Sequence, residues 1–94
     1  MTLDELRARR DEIEAIARHG AHDVRVFGSI VRGEANSQSD IDLLVDLEPG
    51  RSIMDLGGLL MDLQEHLHCK VDVMTPTMLK PRVRERALRE ATAL

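Results

Sequence analysis

Large aromatic side chains are almost missing: Phe27 is the only Phe, Tyr or Trp among 94 residues. Nucleic-acid bases are usually gripped by stacking on such rings, so any base pocket here must be aliphatic or built from arginine planes. Cysteine is nearly absent too, and the lone Cys69 excludes an internal disulfide framework. No apolar run approaches membrane-spanning length. The N-terminal stretch MTLDELRARRDEIEAIA mixes charged and apolar residues and lacks the apolar core of a secretory signal, so the expected location is cytoplasmic. A basic surplus is missing as well: Lys and Arg number 13 against 17 Asp and Glu, for a net charge of -4. Direct nucleic-acid binding rests on a basic face that neutralises phosphates, and it is not expected here.

What is present is aliphatic and charged. A chain this long buries somewhat more than ~60% of its unfolded surface, enough for one core, so residues 1–94 are expected to form a single domain. Residues 2–19 predict an amphipathic helix, opened by a Thr2–Glu5 capping box and striped by Leu3, Leu6, Ile13 and Ile16. Val24 and Val26 alternate with polar residues in a short strand that ends at Phe27. Residues 29–32 suffice for about one helical turn, and residues 33–39 are turn chemistry. A more apolar and therefore central strand follows, DIDLLVDL from Asp40.

Ser52 with Asp55 predicts the cap of a third helix running to about His68. Its buried stripe is Ile53, Leu56, Leu59, Leu60, Leu63 and Leu67, with Gly57 and Gly58 inside it for close packing against the sheet. Residues 70–74 form a third strand with Val71 and Val73 on one face and Asp72 on the other. Thr75 and Pro76 open a helical tail that Pro81 restarts. The sum is an α/β fold: a small three-stranded sheet packed with helices.

Asp40 and Asp42 are the unusual feature. Residues two apart in a strand share a face, with Cα atoms ~6.5–7 Å apart, so the two carboxylates point together and each resists ionising beside the other. A divalent cation removes that penalty, and oxygen ligands suit Mg²⁺, which keeps places for water and substrate phosphates. Two such ions ~3.5–4 Å apart can hold both the attacking and the leaving oxygen of a phosphoryl displacement. A third carboxylate would complete the site. Asp72, outward on an apolar strand, is the best placed; Asp46, Glu48, Asp55 and Asp62 are the alternatives. Gly28 and Ser29 offer the phosphate end, since glycine admits close backbone approach and a helix start presents free N–H groups. Arg32, one turn on, can neutralise a phosphate, and Ser39 abuts the first aspartate.

Gly28-Ser29, ten residues, then Asp40-Ile41-Asp42 resembles the signature of the minimal nucleotidyltransferases of the DNA polymerase β-like superfamily. Arg32, Gly33 and Ser39 also stand where that family has them. The resemblance covers nearly the whole chain. It implies a mixed-sheet nucleotidyltransferase core and Mg²⁺-dependent transfer of AMP from ATP. Asp40 and Asp42 would hold the metal, Asp72 would complete the site and act as base, and Gly28, Ser29, Arg32 and Ser39 would bind the triphosphate. Free-standing members this short are similar to antitoxins of toxin–antitoxin modules, whose usual partner is a HEPN-domain ribonuclease toxin that they silence by adding AMP to a tyrosine. This chain has none, so a tyrosyl acceptor must lie on another molecule. The alternative is a catalytically vestigial antitoxin that neutralises its partner by binding alone.

Two further clusters have plain readings. His66, His68 and Cys69 have no distant second pair of the kind zinc sites use and read as structural. Lys80, Arg82, Arg84, Arg86 and Arg89 read as a solvated helix face; docking an acidic partner or flanking the triphosphate are the other readings.

Overall fold

The computed structural model describes residues 1–36 and 38–94; Ser37, within the turn expected over residues 33–39, lies outside the described residues. Thr2 opens the first helix as the sequence predicts, its Oγ1 accepting from the Glu5 N–H at 3.1 Å. The single helix expected over residues 2–19 is instead two, α1 (Leu3–Ala8) and α2 (Arg10–Ala17). Arg9 separates them. Its N–H reaches back only three residues, to Leu6 (3.0 Å), and its backbone leaves helical geometry at φ -107, ψ 15. The Arg9 guanidinium donates to the His66 carbonyl at 3.2 Å and to Glu12 at 3.1 Å, so the break ties the N-terminal helices to the rest of the fold.

The strands are β1 (Ala21–Phe27), β2 (Ile41–Leu47), β3 (Val71–Met74) and a two-residue β4 (Thr92–Ala93), in the order β3-β2-β1-β4. The three predicted strands are all present, β2 among them as a central one; β4 adds a fourth. The sheet is mixed: β2 runs antiparallel to β1 and parallel to β3. Ile41, Leu43 and Val45 form one row with Val26, Val71 and Val73, and this row faces the helical layer through Leu6, Ile13 and Leu63. Each such aliphatic side chain, once buried, contributes about 1.5–3 kcal/mol.

The opposite face is covered only in part. Leu44 is fully buried there against Leu79 and Ala87. Ala87 belongs to α4 (Pro81–Glu90), which Pro81 opens at its first position after a 3₁₀ turn over Pro76–Met78. That cover leaves Asp42, two residues before Leu44, half-exposed. No helix among the described residues is long and apolar enough to cross a membrane.

The third helix, α3 (Ile53–Leu67), starts at the predicted cap, with the Ser52 N–H donating to Asp55 Oδ2 at 2.8 Å. Leu56, Leu59, Leu63 and Leu67 are buried and Leu60 partly so, but Ile53 is 67% exposed and shares the outer face with Met54 and Met61. The packing role expected of Gly57 and Gly58 is also overturned: both are exposed, and a Cβ built at either meets no heavy atom within 4 Å. Nothing in the structure explains their presence. Gly57→Ala and Gly58→Ala are therefore expected to stabilise the protein by about 0.5–1 kcal/mol each, since alanine loses less backbone freedom in a helix. Urea unfolding measures this, and a loss of stability would reveal a contact the folded monomer does not contain.

Candidate active site

The alternation that sends Ile41, Leu43 and Val45 into the core sends Asp42 to the other face. The parallel pairing of β2 with β3 then decides its neighbour: Asp42 lies directly opposite Asp72, on adjacent strands ~4.8 Å apart. Asp40, one residue before β2, falls on the Asp42 side by the same alternation and pairs with Lys70 Nζ at 3.5 Å. Burial pushes the Asp42 carboxyl above its ordinary pKa, the charges of Asp72 and Asp40 push it further, and Arg32 opposes them. Two of the sequence-predicted carboxylates, Asp72 and Asp40, thus act on the third, Asp42. Among the described residues no three His, Cys, Asp or Glu side chains form a ready-made metal cage. A set of mutually repelling oxygen donors suits a small hard cation that completes its shell with water and phosphate oxygens.

The turn after β1 closes over Asp42, and the cleft there is lined by Asp42 but not by Asp72 or Asp40. Gly28 has φ +80, and a Cβ on it would collide with Asp42 Oδ2 and lie 3.2 Å from Asp42 Cγ. Glycine is needed twice here, for the left-handed backbone and for the contact. The predicted helical turn is a 3₁₀ turn over Gly28–Ile30, with Ser29 half-buried in it. The Gly28 carbonyl accepts from the N–H groups of both Val31 (3.1 Å) and Arg32 (3.2 Å), which folds the chain back tightly behind the glycine.

One residue of this site is not visible in the sequence pattern. Glu90, the last residue of α4, accepts from the Gly28 N–H at 3.2 Å and from Arg86 Nε at 3.1 Å. Arg32 Nη1 donates to both of its carboxylate oxygens, at 2.8 and 3.1 Å. Burial raises the Glu90 carboxyl, but the bonds from Arg32, Arg86 and Gly28 together outweigh it, and its pKa lies below the ordinary value. One signal was available: a negative charge in the last turn of a helix opposes the macrodipole and calls for cationic partners. Phe27, opposite Asp42 in the sheet, and Val83 line the same cleft.

Other candidates are engaged elsewhere. Ser39 does not line the Gly28 cleft: its Oγ accepts from the Asn36 N–H at 3.0 Å, closing a local turn, and it borders a separate groove beside Asp40 and Lys70. Asp46 bonds Arg25 at 3.4 Å, Glu48 bonds His22 at 3.0 Å, and Asp55 serves its cap. Asp62 lies on α3 beside a different cavity. His66 Nε2 lies 2.8 Å from Glu12 Oε2, a structural contact between helices. The basic segment divides: Arg84 donates to the Pro76 and Leu79 carbonyls at 2.8 and 3.0 Å and staples the fold, Arg86 reaches the cleft, and Lys80, Arg82 and Arg89 are exposed.

Residues 6–94 match the nucleotidyltransferase domain family. Two archaeal proteins designated protein adenylyltransferases are each 37% identical. MJ0435 of Methanocaldococcus jannaschii aligns over 91 residues, 97% of this chain and 96% of its own length. MntA of Thermococcus cleftensis aligns over 94 residues, 96% and 93% of the two chains. Among solved structures, one described as a minimal nucleotidyltransferase superposes with a TM-score of 0.86 at 49% identity, covering 100% of this chain and 97% of that one. A toxin–antitoxin structure with AMP-PNP shares the fold at a TM-score of 0.75 and 19% identity, over 88% of this chain and 69% of that one. With Asp42 beneath a glycine-serine turn, Asp72 beside it in the sheet and these likenesses along nearly its full length, the chain belongs to the nucleotidyltransferase enzyme family, in the group that includes the protein adenylyltransferases.

Proposed function

We propose that this chain, acting as one minimal domain in the cytoplasm, transfers AMP from ATP to a hydroxyl of a partner protein. The partner would be the toxin of a toxin–antitoxin pair, and a HEPN-domain ribonuclease is the expected kind. The observation that carries this reading is the side-by-side register of Asp42 and Asp72, with Asp42 packed against Gly28. The adenylyltransferase designation of relatives that align end to end supports the same chemistry. A catalytically idle binder would have no need to bury Asp42 among like charges.

In this reading Asp40, Asp42 and Asp72 would hold Mg²⁺, expected as two ions, which would supply neutralisation of the carboxylates and charge withdrawal from the phosphate oxygens. Gly28, Ser29 and Arg32 hold the triphosphate by backbone approach, hydroxyl and guanidinium. The acceptor oxygen forms a bond to the α-phosphorus of ATP. The bond from that phosphorus to the oxygen shared with the β-phosphate breaks, and pyrophosphate leaves. Asp72 takes the acceptor proton. The chain contains no tyrosine, so a tyrosyl acceptor belongs to the partner.

Incubating this chain with α-labelled ATP, Mg²⁺ and its neighbour, the partner protein encoded by the adjacent gene, tests the proposal. The expected result is label on the neighbour, lost with EDTA. If Asp42→Ala neutralises the neighbour as well as wild type does, neutralisation works by binding and the enzymatic account fails.

A further inference from the structure

We propose that the Glu90 carboxylate is a built-in stand-in for a nucleotide phosphate, and that ATP must displace it to bind. This rests on the nucleotide reading of the cleft given above. Carboxylates and phosphates are recognised by the same donors: backbone N–H groups at close-approach glycines, and guanidinium forks. Glu90 holds both of the donors assigned to the triphosphate that have a described bond in the cleft, the Gly28 N–H and Arg32 Nη1, and adds Arg86 as a third. Its side chain is only 17% exposed. It sits where a helix end disfavours negative charge, so the three cationic or N–H donors are what keep it there.

Space and charge agree. The cleft between Gly28, Asp42, Arg32 and Val83 has a volume of about 190 Å³, smaller than the ~300–1,000 Å³ of ordinary small-molecule sites. The cleft opens to solvent on one side, and Glu90 forms part of its wall, so a phosphate brought to Gly28 and Arg32 meets the Glu90 carboxylate. Glu90 also adds to the negative field at Asp42. Its departure therefore removes one repulsive charge from the carboxylate pair as the triphosphate arrives. The tail beyond is anchored, with Leu94 buried in the core and Arg7 and Arg10 donating to the Ala93 and Leu94 carbonyls at 3.2 and 3.1 Å, so the displacement is confined to Glu90 and the last turn of α4.

The consequence is an affinity set by competition within the chain. Binding of a non-hydrolysable ATP analogue with Mg²⁺, by calorimetry, tests it on wild type and Glu90→Gln. The amide keeps the size of the side chain and removes the charge. The expected result is about tenfold tighter binding by Glu90→Gln; equal or weaker binding overturns the inference and makes Glu90 a positioning residue for Arg32. Hydrogen exchange on unaltered wild type gives a second reading that needs no variant. On analogue binding, residues 28–34 should slow while residues 87–91 speed up; slowing in both segments means Glu90 stays put and overturns the proposal. If neither protein binds the analogue, the nucleotide reading itself falls and takes this inference with it.

Discussion

Asp42→Asn should abolish AMP transfer and, at the same time, make the ligand-free protein harder to unfold. The activity loss is expected at 10²–10³-fold or more, on the order found when one preorganised electrostatic partner is removed from an active site. The gain in stability has the same origin. Burial, Asp72 and Asp40 all raise the Asp42 carboxyl, so charging it costs more in the folded state than in the unfolded chain. Such a group contributes its stability fully below the ordinary aspartate pKa of ~3.9 and loses that contribution as pH rises through the raised folded value. At neutral pH the charged Asp42 is a cost, which asparagine removes; relief of this kind is commonly worth ~0.5–2 kcal/mol. The stability gap between variant and wild type should therefore shrink as pH falls toward ~4. Denaturant titrations at several pH values measure the gap directly. Addition of Mg²⁺ with an ATP analogue should raise the melting temperature of wild type and leave the variant unmoved. An active Asp42→Asn enzyme would remove this carboxylate from the chemistry altogether.

Gly28→Ala should damage both the fold and the reaction. At φ +80 an alanine costs ~1–2 kcal/mol in backbone strain alone. The new methyl must also drive Asp42 aside, because the colliding atoms belong to its carboxylate. A displacement near 1 Å at a reacting group can cost ~10²-fold in rate. Gly33→Ala is the matched control. Its φ of +73 carries a comparable strain, yet a Cβ there meets nothing within 4 Å. Similar destabilisation in both variants, with transfer lost only at position 28, would separate the collision from the strain. Equal activity in the two would mean that the contact between Gly28 and Asp42 is incidental.

Much of this site was legible because it depends on short-range rules. A period of two places Asp40 and Asp42 together, the apolar flanks of Asp72 turn it outward, and a glycine after a strand marks the close approach. The features that escaped the sequence are those created by distance. Glu90 is separated from Arg32 by 58 residues, and no local pattern announces that α4 returns to the first turn. The break at Arg9 has the same cause, since its guanidinium is drawn to a carbonyl 57 residues away. Ile53 fits the period of the α3 stripe, but its first-turn position leaves it outside the sheet's reach. Ser39 shows the converse limit: a hydroxyl adjacent to a candidate carboxylate in sequence is claimed by its own turn. β4, two residues long, is too short to carry any period.

The pairing of β2 with β3 has one more consequence. A slip of β3 by a single residue would turn Asp72 inward and Val71 outward, placing an unpartnered charge in the core, which the fold could not tolerate. A chain that mispairs these strands does not yield a poorly assembled catalyst; it yields no folded protein. The same hydrophobic alternation that holds the molecule together thereby acts as its own inspection of the carboxylate pair, and every folded copy carries the two aspartates in line.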